Sequence, residues 1–437
     1  MKPNTGILRK NYLSRVLRLL DNDNALLVLG LRRTGKTCIS MQLKEQLSRR
    51  LGEGGAVFRW NFETPRSVHM TADHLIERFG DIYDPGKKNV FLLDEITHVS
   101  GWERAVNHAF SYPNVKLVFF SSTRRLLSSD FEAYSSGRFD IIDALPLSME
   151  EFAEFRGIRE LTPPDTPASR RRFISPAGEE LTPGGILERY LRDYALPGIM
   201  SDYRDEHGTD PVSDSVSSAI ILHDILEVGS YMGLGAVADP ALLRGVISVM
   251  ASSMGRNVSA TWIGKQIPAY ISRHSSTRTV ESYMHALLNA HLFYAVPRYD
   301  IKAERELKTL YKYYMTDMRL MDNFMLAYPE SEALLIEDRV FFELIRRGYT
   351  VFNGKLPQGE IKFMAENGSE RVYVQIADVF GERERRELLP PLRRIRDGNP
   401  KVIICSGSET RSTADGIMII NAADFLLGAS WKKRQTQ

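Results

Sequence analysis

The sequence predicts an α/β fold in which helices cover both faces of a parallel β-sheet. A glycine-bounded loop, residues 30–37, stands between the apolar run 25–29 and a segment whose apolar residues recur four apart. Further strand-like apolar runs follow, with helix-like stretches between them, at 56–62, 90–93, 115–120 and 139–144. Alternating strands and helices are typical of parallel sheets with both faces buried.

Composition limits the classes of function. The chain has 437 residues, 43% of them apolar, and a formal net charge of +2. This length predicts roughly two to four domains, and the near-neutral charge argues against a globally basic nucleic-acid-binding surface but not against a local basic patch. The two cysteines, Cys38 and Cys405, predict neither a disulfide framework nor a zinc site. Because no apolar stretch has the length of a membrane span and no signal-peptide core is evident, we expect a cytoplasmic protein without membrane contact.

The loop after the first strand has the glycine and lysine spacing of a Walker A motif. Its glycines allow backbone N–H groups to surround phosphate oxygens, and the following helix N-terminus adds positive potential. Lys36 is expected to reach the β- and γ-phosphates of ATP, and the Thr37 hydroxyl to bind Mg²⁺. The alternative is a glycine turn that opens a helix and leaves the lysine exposed. The predicted nucleotide-binding residues are Gly30, Arg32, Arg33, Thr34, Gly35, Lys36, Thr37 and Cys38.

A second strand-end motif supports the first. The apolar run 90–93 is followed by two adjacent acids, Asp94 and Glu95. Asp94 suits the Walker B position, which holds magnesium through water, and Glu95 suits the general base that activates the attacking water. Such a pair more often caps the next helix. This pair lies about 60 residues after the glycine-bounded loop, which fits an intervening helix and strand and favours the Walker B interpretation. The strand 115–120 ends at Ser121, which we expect to act as a sensor of the γ-phosphate.

Several short motifs accompany these residues: Arg32-Arg33, Asp94-Glu95-Ile96, Gly101-Trp102-Glu103, Ser121, Gly137-Arg138, Pro146-Leu147-Ser148 and Glu151-Phe152. With them the chain resembles a large group of prokaryotic AAA-type ATPases that join this core to a C-terminal domain of unknown function. The resemblance implies an AAA+-like P-loop NTPase that uses ATP and Mg²⁺. It also implies that Arg138 completes the catalytic site, in cis or from a neighbouring subunit of a homo-oligomer. A surface arginine in a turn is the alternative.

Three further segments follow the predicted ATPase core at 1–157. Residues 158–235 contain a proline-, glycine- and charge-rich excursion and helical stretches, which predict a linker and a helical lid. Residues 236–330 resemble a winged-helix domain. That arrangement binds DNA in many proteins and serves as a protein-interaction or lid module in others. The residues near its expected recognition helix are Arg273, Arg278 and His285.

Residues 331–437 resemble a PD-(D/E)XK nuclease, an α/β fold of the restriction-endonuclease type. A nuclease of this fold needs an acid on its second strand and an acid-x-Lys sequence on its third, which hold a divalent metal. Here Lys362 replaces the acid of the second strand. Gln375 replaces the acid of the third strand, and no lysine stands two residues after it. Because a cation repels a metal ion, we expect an inactive nuclease-like scaffold in which Lys362 pairs with Glu360.

These features predict a slow ATPase that uses ATP to drive or switch its domain arrangement. One alternative is a nucleotide-regulated sensor with negligible turnover, and another is an ATP-controlled DNA-binding protein or nuclease. Glu95 favours turnover, whereas Lys362 and Gln375 argue against a nuclease. The expected partners are ATP and ADP, a second copy of the chain, and either DNA or an unidentified protein.

Overall fold

The computed structural model describes residues 6–64, 70–127, 139–163, 166–205, 225, 239–268, 276–324, 331–368, 370–407 and 410–431. The chain divides into two compact units. Unit 1 consists of Met1–Leu145 and Asn289–His291, and unit 2 of Pro146–Leu288 and Leu292–Gln437. In the described part of the chain, no helix combines the length and hydropathy that a membrane span requires.

Unit 1 contains a five-stranded sheet in the order β2-β3-β4-β1-β5, and all its neighbouring strands are parallel. The predicted parallel sheet is therefore confirmed. The strands are β1 (Ala25–Leu29), β2 (Gly55–Asn61), β3 (Lys88–Asp94), β4 (Val115–Ser121) and β5 (Phe139–Asp143). The α-helices are α1 (Lys10–Arg18), α2 (Lys36–Leu51), α3 (Ala72–Ile82) and α4 (Trp102–Phe110), and 3₁₀ turns occur at Gly52–Gly54, Ile96–His98 and Arg124–Leu127.

Both faces of this sheet are covered by apolar side chains. Successive residues of β1 enter two separate cores, because side chains along a strand alternate between its faces. Leu27 and Leu29 belong to a core that includes residues of α3 and α4, whereas Leu26 and Val28 belong to one that includes residues of α1 and α2. In such a layered parallel sheet, ligands bind where the carboxyl ends of the strands meet.

Unit 2 contains an eight-stranded mixed sheet in the order β10-β9-β11-β12-β13-β14-β16-β15 and a small antiparallel sheet, β6-β7-β8. Its strands are β6 (Arg159–Glu160), β7 (Phe173–Ile174), β8 (Glu180–Leu181), β9 (Phe293–Asp300), β10 (Arg305–Met315), β11 (Thr350–Lys355), β12 (Glu360–Asn367), β13 (Glu370–Ala377), β14 (Lys401–Cys405), β15 (Arg411–Ser412) and β16 (Met418–Asn421). Its α-helices are α5 (Met149–Phe155), α6 (Pro183–Arg192), α7 (Pro197–Asp205), α8 (Pro240–Ser252), α9 (Ala260–Gln266), α10 (Thr277–Asn289), α11 (Glu332–Arg346), α12 (Glu382–Arg394) and α13 (Ala422–Leu426). The last residue of α10, Asn289, is assigned to unit 1. Turns of 3₁₀ type occur at Ala168–Arg170 and Met318–Phe324.

The hairpin β9–β10 forms one edge of the large sheet. Its two strands are antiparallel, and β9 also pairs in parallel with β11. By the boundaries predicted from the sequence, this hairpin belongs to the winged-helix-like segment 236–330 and β11 to the segment 331–437. Backbone hydrogen bonds unite the two segments in one sheet, a pairing that local sequence patterns do not indicate. The three helices expected in the first segment are present as α8, α9 and α10, and the winged-helix assignment itself stays a prediction.

The C-terminal part of unit 2 follows the predicted succession of one helix and three strands. After α11, the strands β11, β12 and β13 form an antiparallel series, and β13 pairs in parallel with β14 beyond α12. Phe341 of α11 stacks on Tyr314 with ring centroids 4.6 Å apart. Leu392 of α12 packs in a core with Ile361 and Ile403. Both helices are therefore held to the sheet by buried apolar side chains.

Candidate functional site

The loop between β1 and α2 follows a path that two glycines make possible. Gly35, directly before α2, has a φ of 89°, which glycine adopts without strain. Gly30 leaves no room for a side chain, because an added Cβ would lie 2.2 Å from the carbonyl oxygen of Ala144. The glycine spacing recognised in the sequence thus corresponds to two physical requirements of the backbone.

Lys36 is the first residue of α2, and its side chain folds back across the loop. Its Nζ donates to the carbonyl oxygens of Gly30 at 2.8 Å and of Leu31 at 3.1 Å. The same nitrogen lies 4.0 Å from Oε1 of Glu95. The residue is only 7% exposed. An ammonium held inside this loop is the group that a phosphate-binding site of the Walker A type needs.

The two predicted magnesium-binding residues, Thr37 and Asp94, lie in the first turn of α2 and at the end of β3. The Thr37 side chain is exposed, whereas Asp94 is 2% exposed. Oδ2 of Asp94 accepts hydrogen bonds from the Ser40 hydroxyl, at 3.0 Å, and from the Arg59 guanidinium. Oδ1 is buried and accepts no hydrogen bond from the described residues. An oxygen of this kind suits a metal-bound water as donor, so these residues fit Mg²⁺.

Burial changes the acidity of both adjacent carboxyl groups. It raises the pKa of Asp94 to about 7, against the opposing influence of Arg59 and Ser40. Burial also raises the pKa of Glu95, with the ammonium of Lys36 as the largest opposing influence. Carboxyl groups perturbed by burial and specific neighbours are concentrated at functional sites.

Glu95 occupies an unusual backbone conformation immediately after β3. Its φ is 53°, in the left-handed region that residues other than glycine adopt infrequently. The Ser121 hydroxyl at the end of β4 donates to Oε2 of Glu95 at 3.2 Å. Together with the approach of Lys36, this contact brings three predicted site residues into one cluster. Strain of this type is characteristic of functional sites.

The remaining predicted residues of the loop have distinct environments. Arg32 pairs with Glu63 at 3.1 Å, and Arg33 has a φ of 74°. Thr34 is buried, and its hydroxyl donates to a loop carbonyl at 2.8 Å. Burial raises the pKa of the Cys38 thiol. The Thr34 hydroxyl supports the loop through this hydrogen bond, and contact of these four side chains with a nucleotide stays a prediction.

Two other groups of predicted residues have different outcomes. Gly137 and Arg138 fall in the segment 128–138, which lies outside the described residues. Arg273 also lies outside the described residues. The predicted catalytic role of Arg138 therefore stays a prediction. Arg278 and His285 are exposed on α10, which is compatible with both predicted uses of that helix, contact with DNA and contact with protein.

Two arginines outside the predicted set of site residues, Arg59 and Arg9, support the site. Arg59, the charged residue of the otherwise uncharged strand β2, binds Asp94 and donates from Nε to the Ser40 hydroxyl at 2.6 Å. Arg9 is buried and donates to the backbone carbonyl of Thr34 at 3.0 Å. A charged residue inside an apolar strand is a signal that could have identified Arg59. Arg9 has no such signal, because its contact joins residues distant in sequence.

His291 is a further residue of unit 1 that no motif indicates. It is 1% exposed and has a φ of 57°. Burial lowers its pKa well below the usual value, and the positive charges of Arg124 and Lys36 act in the same direction. The segment Asn289–His291 thus belongs to unit 1 and to the electrostatic environment of Lys36, although it lies far along the chain.

A second polar cluster lies in unit 2, at the positions expected for a nuclease site. Lys362 pairs with Glu337 of α11 at 2.9 Å, and Lys312 of β10 pairs with Glu360 at 2.9 Å. The Tyr314 hydroxyl donates to Oε1 of Glu337 at 2.6 Å. The expected pairing of Lys362 with Glu360 is therefore wrong. Packing of α11 against the sheet supplies a closer carboxylate for Lys362, and β10 supplies another lysine for Glu360.

Gln375 of β13 has a structural position in this cluster. It is 3% exposed, donates to the carbonyl oxygen of Glu360 at 2.8 Å and accepts from the backbone N–H of Lys362 at 3.2 Å. Burial lowers the pKa of Lys362, but the negative charge of Glu337 outweighs burial, so the pKa of Lys362 is raised above its usual value. Within the described ranges, no group of three or more His, Cys, Asp or Glu side chains is arranged to hold a metal ion.

Comparison with known proteins divides the chain into two recognised regions. Residues 22–153 match a family profile described as an AAA domain, and residues 188–327 match a domain of unknown function, DUF8612. An uncharacterized protein of Haemophilus influenzae is 28% identical over 428 residues, which are 96% of this chain and 98% of that protein. One from Methanocaldococcus jannaschii is 23% identical over 379 residues, 85% of this chain and 78% of that protein.

Solved structures show more distant similarity. The Aeropyrum pernix ORC1 protein in complex with DNA is 15% identical, with a TM-score of 0.31, and the match covers 79% of this chain and 97% of that one. AMPPCP-bound DnaA from Aquifex aeolicus is 14% identical, with a TM-score of 0.28, covering 66% and 94%. The sheet order, the glycine-bounded loop between β1 and α2 and the profile match together support an AAA-type P-loop NTPase domain in unit 1.

Proposed function

We propose that the chain binds ATP with Mg²⁺ at the loop 30–37 and hydrolyses it slowly to switch its domain arrangement. The observation that supports this proposal is the convergence of Lys36, Glu95 and Ser121 at the carboxyl ends of β1, β3 and β4. Asp94 adds a buried carboxylate beside them. These are the residue types that phosphoryl transfer needs: a cation for phosphate, a carboxylate for metal and a base for water.

Each residue has a separate role in the proposal. Lys36 leaves its loop carbonyls to bind the β- and γ-phosphates. Thr37 and Asp94 would hold Mg²⁺, whose charge would offset that of the transferred phosphoryl group. Glu95 accepts a proton from the attacking water, and its raised pKa favours that role. Ser121 orients Glu95 through their hydrogen bond. Arg138 is proposed to stabilise the γ-phosphate, in cis or in trans.

Slow turnover follows from the contacts that hold the base. The Glu95 carboxyl group accepts a hydrogen bond from Ser121 and lies near the Lys36 ammonium. The Lys36 ammonium must move from this carboxylate to the phosphates before Glu95, still oriented by Ser121, can align a water molecule with the γ-phosphate. We place the protein in the cytoplasm, where ATP and Mg²⁺ are abundant.

Removal of the metal tests the proposal. With purified full-length chain, phosphate release from ATP is expected to be measurable with Mg²⁺ and to fall to background with EDTA, because Thr37 and Asp94 contribute only through the ion. Sodium chloride at the same ionic strength would serve as the control for the removed salt. Tight, magnesium-dependent ATP binding without phosphate release would contradict hydrolysis and favour the alternative of a nucleotide-regulated sensor.

We further propose that the C-terminal part of unit 2 is a nuclease-like scaffold without nuclease activity. The helix and strand succession from α11 to β14 supports the scaffold. The two lysine–glutamate pairs support inactivity, because each ammonium neutralises a carboxylate that a metal ion would need.

Neither single- nor double-stranded DNA is expected to be cleaved above background, with Mg²⁺ or Mn²⁺ and with or without ATP. Gel electrophoresis of end-labelled substrates measures this. Cleavage that disappears in a Glu360→Ala variant but survives in a Lys36→Ala variant would show that the domain is a true nuclease. Glu360→Ala tests whether unit 2 carries any cleavage activity, and Lys36→Ala tests whether that activity depends on nucleotide.

A further inference from the structure

The carboxylate proposed to hold magnesium is already bound by a positive charge from the neighbouring strand. Arg59 of β2 forms an ion pair with Oδ2 of Asp94, and its Nε donates to the Ser40 hydroxyl at 2.6 Å. Ser40 in turn donates to the same Oδ2 at 3.0 Å. The two side chains of the ion pair are 17% and 3% exposed. The three residues form a closed polar group in a largely buried place.

The register of the sheet creates this contact. Strand β2 runs parallel to β3 with Asn61 opposite Asp94 and Arg59 opposite Leu92. Ser40 approaches from the first turns of α2, and the carbonyl oxygen of Thr37, 2.9 Å from its hydroxyl, is a second acceptor for the same hydrogen. A charged group in a strand of this type is costly to bury unless a carboxylate and further hydrogen bonds satisfy it. Asp94 and Ser40 provide both.

The two oxygens of Asp94 therefore have different surroundings. Oδ2 is occupied by two donors, whereas Oδ1 accepts no hydrogen bond from the residues described. Asp94 can offer Oδ1 to a magnesium-bound water while Arg59 remains on Oδ2. The Arg59 guanidinium nevertheless offsets the negative charge of the Asp94 carboxylate. It also repels Mg²⁺, because two positive charges interact strongly in a site with little water.

We propose that Arg59 is a positioning residue that sets the magnesium requirement of the nucleotide site. It fixes the orientation of Asp94 through Oδ2 and weakens the attraction of that carboxylate for Mg²⁺. The inference rests on the proposed function, since it concerns the metal that accompanies ATP. As a consequence, the site binds Mg²⁺·ATP only at a higher magnesium concentration than Asp94 without Arg59 would require.

The test measures binding and needs no turnover. Affinity for ATP is determined by calorimetry over a series of Mg²⁺ concentrations and again in EDTA, for the parent chain and for Arg59→Gln, Arg59→Met and Arg59→Lys. The neutral variants are expected to reach half-maximal enhancement of ATP affinity at about tenfold lower Mg²⁺, as expected for one screened unit charge acting on a divalent ion. Arg59→Lys keeps the charge and should stay near the parent.

Arg104→Gln is the matched control, because Arg104 forms an exposed ion pair with Asp73 in the same unit. It should leave the magnesium midpoint unchanged. Arg59→Met fits an apolar strand and provides the same measurement if Arg59→Gln does not fold. An unchanged or higher magnesium midpoint in the neutral variants, or an equal change of affinity in EDTA, would overturn the inference. A parent chain that binds no ATP at any magnesium concentration would instead contradict the proposed function and the inference with it.

Discussion

Replacing Lys36 with alanine is expected to weaken magnesium-dependent ATP binding about 10- to 100-fold and to abolish turnover. The Lys36 ammonium is buried inside the loop, where it donates to the carbonyl oxygens of Gly30 and Leu31. A hydrogen bond to a charged group contributes about 1.5–3 kcal/mol, and each 1.4 kcal/mol corresponds to about tenfold in affinity. Hydrolysis is lost in addition because the charge developing on the γ-phosphate loses its partner.

Calorimetry with ATP and Mg²⁺ measures the affinity, and phosphate release measures turnover. Lys44→Ala is the matched control, since Lys44 is exposed on the same helix α2. Thermal unfolding of both variants checks that Lys36→Ala remains folded after losing its two carbonyl contacts. Parent-like ATP affinity in folded Lys36→Ala would refute the assignment of the loop as the nucleotide site.

Replacing Glu95 with glutamine is expected to lower the hydrolysis rate about 10²- to 10⁴-fold, the usual contribution of a general base, and to leave ATP affinity within about twofold of the parent. Glutamine has the same shape and can still accept a hydrogen bond from Ser121, so the geometry of the pocket is retained. It cannot take the proton of the attacking water. Binding and chemistry are therefore expected to separate in this variant.

Single-turnover phosphate release measured beside equilibrium binding tests this separation. Glu77→Gln, an equal change at an exposed position of α3, is the charge-matched control. Equal turnover in Glu95→Gln and the parent would place the base elsewhere or attribute the activity to a contaminant. Loss of both binding and turnover would indicate that Glu95 supports the pocket instead of activating water.

The features predicted correctly from the sequence are those encoded by residues close together along the chain. The loop between β1 and α2 is encoded by a contiguous run of residues. Local backbone geometry requires glycine at positions 30 and 35 of this loop. Strands β3 and β4 appear as apolar runs because they lie inside the parallel sheet, where both faces are buried. Parallel pairing then places Asp94, Glu95 and Ser121 at the same edge, which the order of strands and helices alone implies.

Tertiary structure decided which charged groups meet. Arg59 and Asp94 are separated by an intervening helix and meet because β2 and β3 are neighbours in a particular register. Lys362 was expected to pair with Glu360, its near neighbour on the same strand, but packing of α11 places Glu337 closer. Spacing along a chain determines strands, turns and the residues that share a local motif. Ion pairs depend instead on strand order and helix packing, which are set by burial of the whole core.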